Sequence, residues 1–490
     1  MKFKYLLSVI ALIAVTKSAF AQYSQDVIRY STFQPGSTSR VKAIGNAGTA
    51  IGGDLSSIGG NPAGLGFFTK SELSITPEFD GSKVSAGYLN QTSNASKSNL
   101  NLNNASWVFY NRLNTPTGQD KTKGWLSINF GFGYNRTNDY GENIYAAGKN
   151  NTSSITDYYA NLANSSGLTD GSLQSWAYNQ NLIDQYGTVA NPTYQSNALT
   201  GGSQLNSITR SGGQSEFDIS MGANYSNKLY LGIGLALTDM QYNVTNNFNE
   251  IGVASVLENN VAVNRNYNST YSQSQMSKGS GVNVKFGVIY KPVESIRIGA
   301  VITSPTYYSV DDSYNEGLSS SFSNSLSYAN GPANYPLTYS FTTPFKASGG
   351  IAIFIKQFGF ISGDVEYVNY SSTHLSDNDN YDSSFDNGNI KSLYRDAINT
   401  HVGAEARLGW GVFLRGGYGV QGSPLKQNGS STQTVTGGLG YHFGSYYVDA
   451  TYAHLTGSQS LTPYTAGNVT PTINLNKTND NVYLTFGYRY

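Results

Sequence analysis

The chain has 490 residues, with 30 basic against 30 acidic side chains, 54 glycines, 38 tyrosines and no cysteine. Balanced charge gives no electrostatic reason to expect a nucleic-acid partner, and without cysteine the chain has no anchor for lipid attachment. A mean hydropathy of −0.34 argues against a helical membrane protein but not against a barrel, whose inner face and loops are polar.

In chain order, the first element is an export signal. Lys2 and Lys4 precede an apolar run from Tyr5 to Val15, and Ala19-Phe20-Ala21 has the small-x-small form of a cleavage site. The run is too short to span a bilayer, which takes about 20 residues. Lys17 is an unusual residue so near the cut. Residues 1–21 are thus expected to be a signal peptide, and the mature chain to start at Gln22. Residues 22–70 form a second region, rich in glycine and alanine: Gly45, Gly48, Gly52, Gly53, Gly59, Gly60, Gly64 and Gly66 crowd it. Such a segment packs tightly and turns often, and it lacks the alternation of a lipid-facing strand.

From Ser71 onward, strands dominate. Five places show an alternating run, a short turn and a second alternating run. They span 216–238, 282–302, 348–370, 401–418 and 435–455, and the turns fit hairpins. The connections between these hairpins are longer and rich in Asn, Ser, Thr, Tyr and Gly. Tight turns at one end and long loops at the other is the asymmetry of outer-membrane barrels. The largest loop is expected over 138–213, with short helices over Ile155–Ala163 and Leu173–Tyr186. Further strands are expected over Glu72–Leu89 (with a kink at Pro77 or Gly81), Ser106–Tyr110 and Trp125–Tyr134. The last strand ends the chain: Val482, Leu484, Phe486, Tyr488 and Tyr490 alternate with polar or small residues. The total is about 14, an even number that puts both barrel ends on the periplasmic side. The fold class is all-β: a transmembrane antiparallel barrel over 71–490, in the outer membrane of a Gram-negative bacterium.

Several stretches together resemble the FadL/TodX family of outer-membrane transporters for hydrophobic compounds. Asn61-Pro62-Ala63-Gly64 resembles the end of that family's N-terminal hatch. Thr343-Pro344-Phe345, Asp364–Tyr370, His401–Glu405 and Leu414–Tyr418 resemble its later strands. The resemblance implies a 14-stranded barrel closed by a plug at 22–70, and passive uptake of fatty-acid-like or aromatic small molecules. It also implies a local defect in a strand wall through which ligand leaves sideways. Phe130-Gly-Phe-Gly-Tyr134 is the candidate, because glycine inside a strand often marks a bulge or bend. Gly131 and Gly133 would then be the lateral exit; the plainer reading is that they make room for the plug.

If the apolar parity faces lipid, the other parity faces the lumen. That places Glu216, Asp218, Lys285, Arg297, Asp364, Glu366, Glu405, Arg407 and Arg415 inside, where a network with Arg40, Lys42 and Asp54 is expected. An Arg or Lys at the lipid midplane would cost about 2–4 kcal/mol. The network either brackets a ligand head group or braces plug against wall, and bracing is the simpler role. Asp364 and Glu366 share a face, but nothing marks a catalytic site around them.

Some FadL-like relatives are labelled hemin receptors, so the four histidines matter. His374, His401, His442 and His454 are scattered, without ligand spacing. No cofactor, metal or enzymatic activity is expected. The expected protein is a monomer in outer-membrane lipid that binds a hydrophobic small molecule. The alternative on the same fold is a scaffold or secretion-shuttle barrel whose long loops bind a protein partner.

Overall fold

A computed structural model describes residues 17–490, apart from 115–117, 119, 189–190 and 260. Residues 1–16 of the expected signal peptide lie outside the described residues. A helix, α1 (Lys17–Ser31), runs across the expected cleavage point. It is followed by α2 (Ser39–Ala43) and by two 3-10 turns, Leu55–Ser57 and Pro62–Phe67.

The rest is a closed antiparallel barrel of 14 strands. They are β1 (Glu72–Tyr88), β2 (Gln91–Phe109), β3 (Trp125–Asp139 and Glu142–Asn150), β4 (Gly202–Tyr225), β5 (Leu229–Glu258), β6 (Val261–Val293), β7 (Ile296–Thr303 and Tyr307–Phe322), β8 (Ser327–Thr342 and Lys346–Ile355), β9 (Gly359–Val368), β10 (Ala397–Gly409), β11 (Val412–Gln421), β12 (Thr432–Phe443), β13 (Tyr446–Leu461) and β14 (Ile473–Arg489). Where a strand has two segments, both pair with the same neighbour. Both parts of β3 lie on β4, and both parts of β7 lie on β6. The barrel closes where β1 pairs with β14, from Glu72 opposite Arg489 to Gly87 opposite Asn474.

Alternation sets the two faces. On β5, Leu231, Ile233, Leu235 and Leu237 are exposed, while Tyr230, Ala236 and Thr238 are buried. On β14, Val482, Leu484 and Phe486 face out while Asn481, Tyr483 and Thr485 face in. The same parity around the barrel makes a continuous apolar belt, the surface that a bilayer covers.

The two ends are less different than the loop pattern implies. Five tight turns occupy one end as expected, but β1–β2, β5–β6 and β7–β8 are also joined tightly at the other. Leu89 and Asn90 both hold positive φ in the first of these, which builds the primed turn that suits hairpin twist. Nothing in Tyr-Leu-Asn-Gln announces it, since Leu rarely adopts that conformation. At the opposite end, β2 and β3 are joined by a long connection, not a tight turn. The expected kink in β1 falls at Pro77, where the β1–β2 register shifts.

Beyond the belt, β5–β8 continue as long hairpins. The expected loop 138–213 is largely structured: it holds the outer part of β3, α3 (Ile155–Ser166), α4 (Leu173–Asn179), a small hairpin (Ile183–Thr188 with Asn191–Ser196) and the outer part of β4. The second expected helix is thus shorter than Leu173–Tyr186 and gives way to strand at Ile183. Ile155, Tyr159 and Trp176 pack against Phe248, Tyr267 and Leu318. Ile144 and Ala146 pack on Val84, Tyr88 and Leu475. Above the membrane these elements therefore pack onto the long hairpins and onto the β1–β14 closure.

Glu250 fastens this outer layer. It is fully buried and accepts hydrogen bonds from the Ser154 and Tyr267 hydroxyls, the Gln204 amide and the Ile155 N–H. Ser154 caps α3 in a capping box with Asp157. An orphaned buried donor costs roughly 1–3 kcal/mol. Glu250→Ala is expected to raise amide hydrogen exchange across 151–201 at least tenfold, with the membrane strands unchanged; hydrogen-exchange mass spectrometry measures both.

Candidate functional site

The N-terminal region fills the barrel. Its orphan backbone groups are met by small polar side chains on the inner wall. Ser39 N donates to Thr485 Oγ1 at 2.7 Å, Thr436 Oγ1 to Ala43 O at 2.8 Å, and Asn129 Nδ2 to Leu65 O at 2.7 Å. Such pairing is required, because a buried unpaired backbone group costs about as much as a lost hydrogen bond.

The Asn61-Pro62-Ala63-Gly64 motif has a structural explanation at each position. Asn61 Oδ1 caps the Pro62–Phe67 turn by accepting from Ala63 N at 3.1 Å, and Nδ2 donates to Thr49 O at 2.8 Å. Pro62 sits at the first position of the turn, where its missing N–H costs nothing. Gly64 O accepts from Gly53 N at 3.0 Å, and a Cβ on Gly64 would overlap Ser57. The wall answers with glycines of its own: Gly232 and Gly287 leave the space that Pro62 and Asn61 occupy.

Gly131 and Gly133 play the same part. A Cβ on Gly131 would lie 2.7 Å from Ile58 Cγ1, and one on Gly133 would lie 3.1 Å from Ile58 Cγ2. The strand is not bent there: Gly131 pairs with Val108 and Ser220, Gly133 with Ser106 and Asp218. The kink expected at these two residues is therefore displaced. The β2–β3 ladder ends at Asn104 opposite Asn135, and β3 shifts register between Arg136 and Asn138. From Asn103 outward, β2 pairs only with β1. The wall has an unpaired seam just above the glycines.

A cleft of about 410 Å³ lies along this seam, lined by Lys97, Asn101, Arg136, Asp139, Gln214 and Gln241 among others. Side chains cross it sparsely. Asn101 Nδ2 donates to Asp139 Oδ2 at 2.6 Å, and Lys97 Nζ donates to Arg210 O at 2.6 Å. Leu100, 80% exposed, forms its outer lip.

Inside the seam lies a packed aromatic cluster, called the chamber below for its ring of walls around α1. Tyr140, Tyr242, Tyr308, Tyr339, Phe341 and Tyr381 surround Tyr23, Val27 and Tyr30 of α1. Tyr140 sits in the gap between the two parts of β3. Its ring centroid is 5.3 Å from that of Tyr242 and 6.2 Å from that of Tyr30. Its N–H donates to Gly212 O at 3.1 Å and its hydroxyl to Gln214 Oε1 at 3.2 Å. Gly212 and Gln214 line the cleft, so Tyr140 separates chamber from cleft. A second, mixed cavity of about 180 Å³ lies deeper, between the interior segment and the wall, bordered by Phe33, Lys42, Lys285, Lys346 and Glu366.

The inward charges form two centres. Lys285 Nζ reaches Glu216 at 2.7 Å, Asp218 at 2.8 Å and the Gly59 carbonyl at 2.8 Å. Arg415 joins Glu405 at 2.8 Å to Asp449 at 2.6 Å, and Arg40 joins the same Glu405 at 2.7 Å. Asp54 lies 3.7 Å from Arg40. Four residues behave differently from a charge network. Asp364 accepts the Thr49 N–H at 2.8 Å and Glu366 the Asn399 amide at 2.8 Å. Arg297 donates to Ile51 O and lies between the rings of Phe67 and Phe354, 4.2 and 4.1 Å from their centroids; rings hold the cation by their quadrupoles. Lys42 donates to the Pro35 carbonyl at 2.8 Å.

Arg407 keeps the inward parity, in register opposite Phe413 with its guanidinium 5.7 Å from that ring's centroid, but at the rim beside the β10–β11 turn it is exposed and joins neither charge centre. Asp449 was missed, although it shares a strand face with Tyr447 and Thr451 and was available to the same parity argument. His401 Nδ1 lies 2.7 Å from Gly45 O, and His454 Nδ1 lies 2.7 Å from Asp480. The four histidines do not converge.

No protein-family model matches the chain, and no curated protein matches it in sequence. Solved structures do. A FadL homologue from Pseudomonas aeruginosa is 12% identical, with a TM-score of 0.57, covering 92% of this chain and 98% of its own. A deletion mutant of the monoaromatic hydrocarbon channel TodX, lacking S2, is 12% identical with a TM-score of 0.53, covering 93% and 99%. The chain has the fold of FadL/TodX-type hydrophobic-compound channels over nearly its whole described length.

Removing one partner of a buried ion pair costs about 3–5 kcal/mol. Lys285→Met is expected to lower unfolding stability in detergent by about that amount, read from urea unfolding. Gly131→Val is expected to destabilise as well, because it meets Ile58; a variant as stable as the parent would show that the interior segment yields there.

Proposed function

We propose that this protein is an outer-membrane channel for passive uptake of hydrophobic small molecules, fatty-acid-like or aromatic, that leave sideways through the seam between β2 and β3. The observation that carries the reading is the unpaired seam beside an aromatic chamber, with Tyr140 between them. Backbone groups in a bilayer must be paired unless they border a polar cavity, so an interrupted ladder beside the apolar belt suits a passage. The chamber suits the ligand class only once α1 yields, since it is packed with α1 in place and apolar pockets with a few polar groups bind small apolar molecules. The neighbouring folds point the same way: one is named a FadL homologue and another a monoaromatic hydrocarbon channel.

The plug at 22–70 and the leader at 1–21 belong to this reading. A short plug tied by two ionic centres closes the axis to water, and the tight outer layer closes it from outside. The described conformation is the closed one. Passage requires Tyr140 to swing from between the two parts of β3 and α1 to yield part of the chamber. The inward charges then brace the plug and need not touch ligand.

The chain has no native cysteine, so two can be placed alone. Asn101→Cys with Asp139→Cys, joined by a short bis-methanethiosulfonate, is expected to cut uptake of a labelled long-chain fatty acid or of toluene severalfold in expressing cells, with recovery on reduction. Unchanged uptake in the cross-linked protein would exclude the seam as the route. Uptake no faster than in cells lacking the barrel, for both compounds, would exclude the transport reading. Tyr140→Ala is expected to raise the uptake rate in the same assay.

A further inference from the structure

The charges balance in the sequence but not in space. The barrel end that holds the five tight turns and Tyr490 is basic. Lys70, Arg112, Lys121, Lys228, Lys356 and Arg407 are exposed there, and among the described residues none has a carboxylate within ion-pair distance. Two exposed acids share that end, Asp120 and Glu294. Each already has a lysine of its own, Lys123 at 3.6 Å and Lys291 at 2.9 Å. At the opposite end, the connection between β9 and β10 alone carries five aspartates against one lysine and one arginine.

One corner of this basic rim is apolar as well. The β8–β9 and β10–β11 turns lie side by side: Arg407 N donates to Phe358 O at 2.7 Å, and Gly359 pairs with Ala406. Trp410 is 99% exposed, Leu408 63% and Phe358 60%. Ile355 and Ile361, on the outward face of the β8–β9 hairpin, join the corner to the apolar belt. Lys356 and Trp410 both hold positive φ, 45° and 46°. Gly or Asn adopts that conformation far more readily than a bulky side chain does. The backbone thus gives no reason for a tryptophan at this tip, and an indole in water packs on nothing in the fold. Exposed apolar patches rimmed by polar residues mark contact surfaces.

We propose that this rim binds the phosphates of anionic phospholipids in the inner leaflet, and that Trp410, Leu408 and Phe358 sink into that leaflet at the headgroup level. Each part of the corner has the chemistry for that place. Tryptophan is enriched where membrane meets water, because its ring is apolar and its N–H can donate. Lys and Arg lay their stems along apolar surface and hold their charge at the polar boundary. Arg407 is arranged in this way: its guanidinium stands 5.7 Å from the Phe413 ring centroid and pairs with no carboxylate. One basic residue at an anionic membrane surface strengthens the attraction about fivefold, and several accumulate. An acidic periplasmic protein would answer the charge, but only lipid answers both the charge and the continuity with the belt. The assignment needs the barrel in a bilayer and holds whatever the barrel carries.

The test uses the whole barrel, extracted from its outer membrane in mild detergent and stripped of lipid. It is offered equal amounts of phosphatidylglycerol and phosphatidylcholine with the same acyl chains, at low ionic strength, and the retained lipid is counted by native mass spectrometry. The wild type is expected to retain phosphatidylglycerol about fivefold or more over phosphatidylcholine. Lys228→Gln, Lys356→Gln and Arg407→Gln together are expected to remove most of that preference. Depth is read separately. The chain has no cysteine, so Gln357→Cys places a single fluorophore in the β8–β9 turn of the barrel in nanodiscs of phosphatidylethanolamine and phosphatidylglycerol. A lipid brominated high on its acyl chain is expected to quench it, and aqueous acrylamide to quench it little. Adding Trp410→Ser is expected to raise acrylamide quenching severalfold. The wild-type retention and the single-cysteine quenching decide the matter even if the triple variant fails to fold. Equal retention of the two lipids, or a fluorophore open to acrylamide and untouched by the brominated lipid, would overturn the proposal. A fluorophore shielded in native outer membranes but open in nanodiscs would overturn it too, and would assign the corner to a periplasmic protein or glycan.

Discussion

In hydrocarbon, a backbone N–H or C=O without a partner has no water to turn to, and that constraint organises the whole molecule. It explains why the chain closes β1 on β14 and why its strands keep parity through the apolar belt. It also gives meaning to the lapse in the ladder between β2 and β3. Elsewhere each wall strand is paired on both sides at the level of the belt. Between β2 and β3 the pairing stops at Asn104 and Asn135, just where the outward face changes from Phe130 and Phe132 to polar residues and where a cleft replaces the wall. A lapse there is affordable because Asn101, Lys97 and Asp139 supply polar partners across it.

Closure creates a second demand, which is filling the lumen. The interior segment is mostly irregular, so it carries many backbone groups that need partners. The wall supplies them from the inward parity: Thr436, Thr451, Thr485, Ser220 and Asn129 each bond the segment's main chain or side chains. Where the segment comes too close for any side chain, the wall carries glycine, as at Gly232 and Gly287. The ions follow the same logic. Lys285 bridges two carboxylates and holds Gly59, and Glu405 is shared by an arginine from the wall and one from the segment. Paired in this way, the charges cost less to bury than they would alone.

Much of this was legible in the chain because a strand between lipid and a polar interior writes its two environments in alternate residues. The count of 14, the closing strand, and the inward positions of Glu216, Asp218, Lys285, Glu405 and Arg415 all follow from that period. What parity cannot see is local geometry. Arg407 keeps the inward parity but stands at the rim, where it is exposed, because the alternation does not tell height along the barrel. The Leu89-Asn90 turn was invisible because leucine does not advertise positive φ. Gly131 and Gly133 fit the plainer of their two readings: glycine records close approach, here of Ile58, as readily as it records a bend. The break itself falls at Arg136–Gly141, and its signal is an absence of partners on β2, which no single segment of sequence displays.

The charged and the aromatic parts of the interior are kept apart. The ionic centres gather around Gly59, Arg40 and Glu405, where they tie the segment to the wall. The aromatic cluster packs between α1 and the outer parts of β5, β7 and β8. Tyr140 joins the two requirements at one point. Its ring belongs to the aromatic chamber, while its backbone and hydroxyl bond to Gly212 and Gln214 on the cleft side. A residue with an apolar body and a polar tip can close such a boundary without leaving either face unsatisfied. Because Tyr30 packs against it, the position of Tyr140 is tied to that of α1 by a direct ring contact, so the boundary between cluster and cleft depends on how α1 is seated.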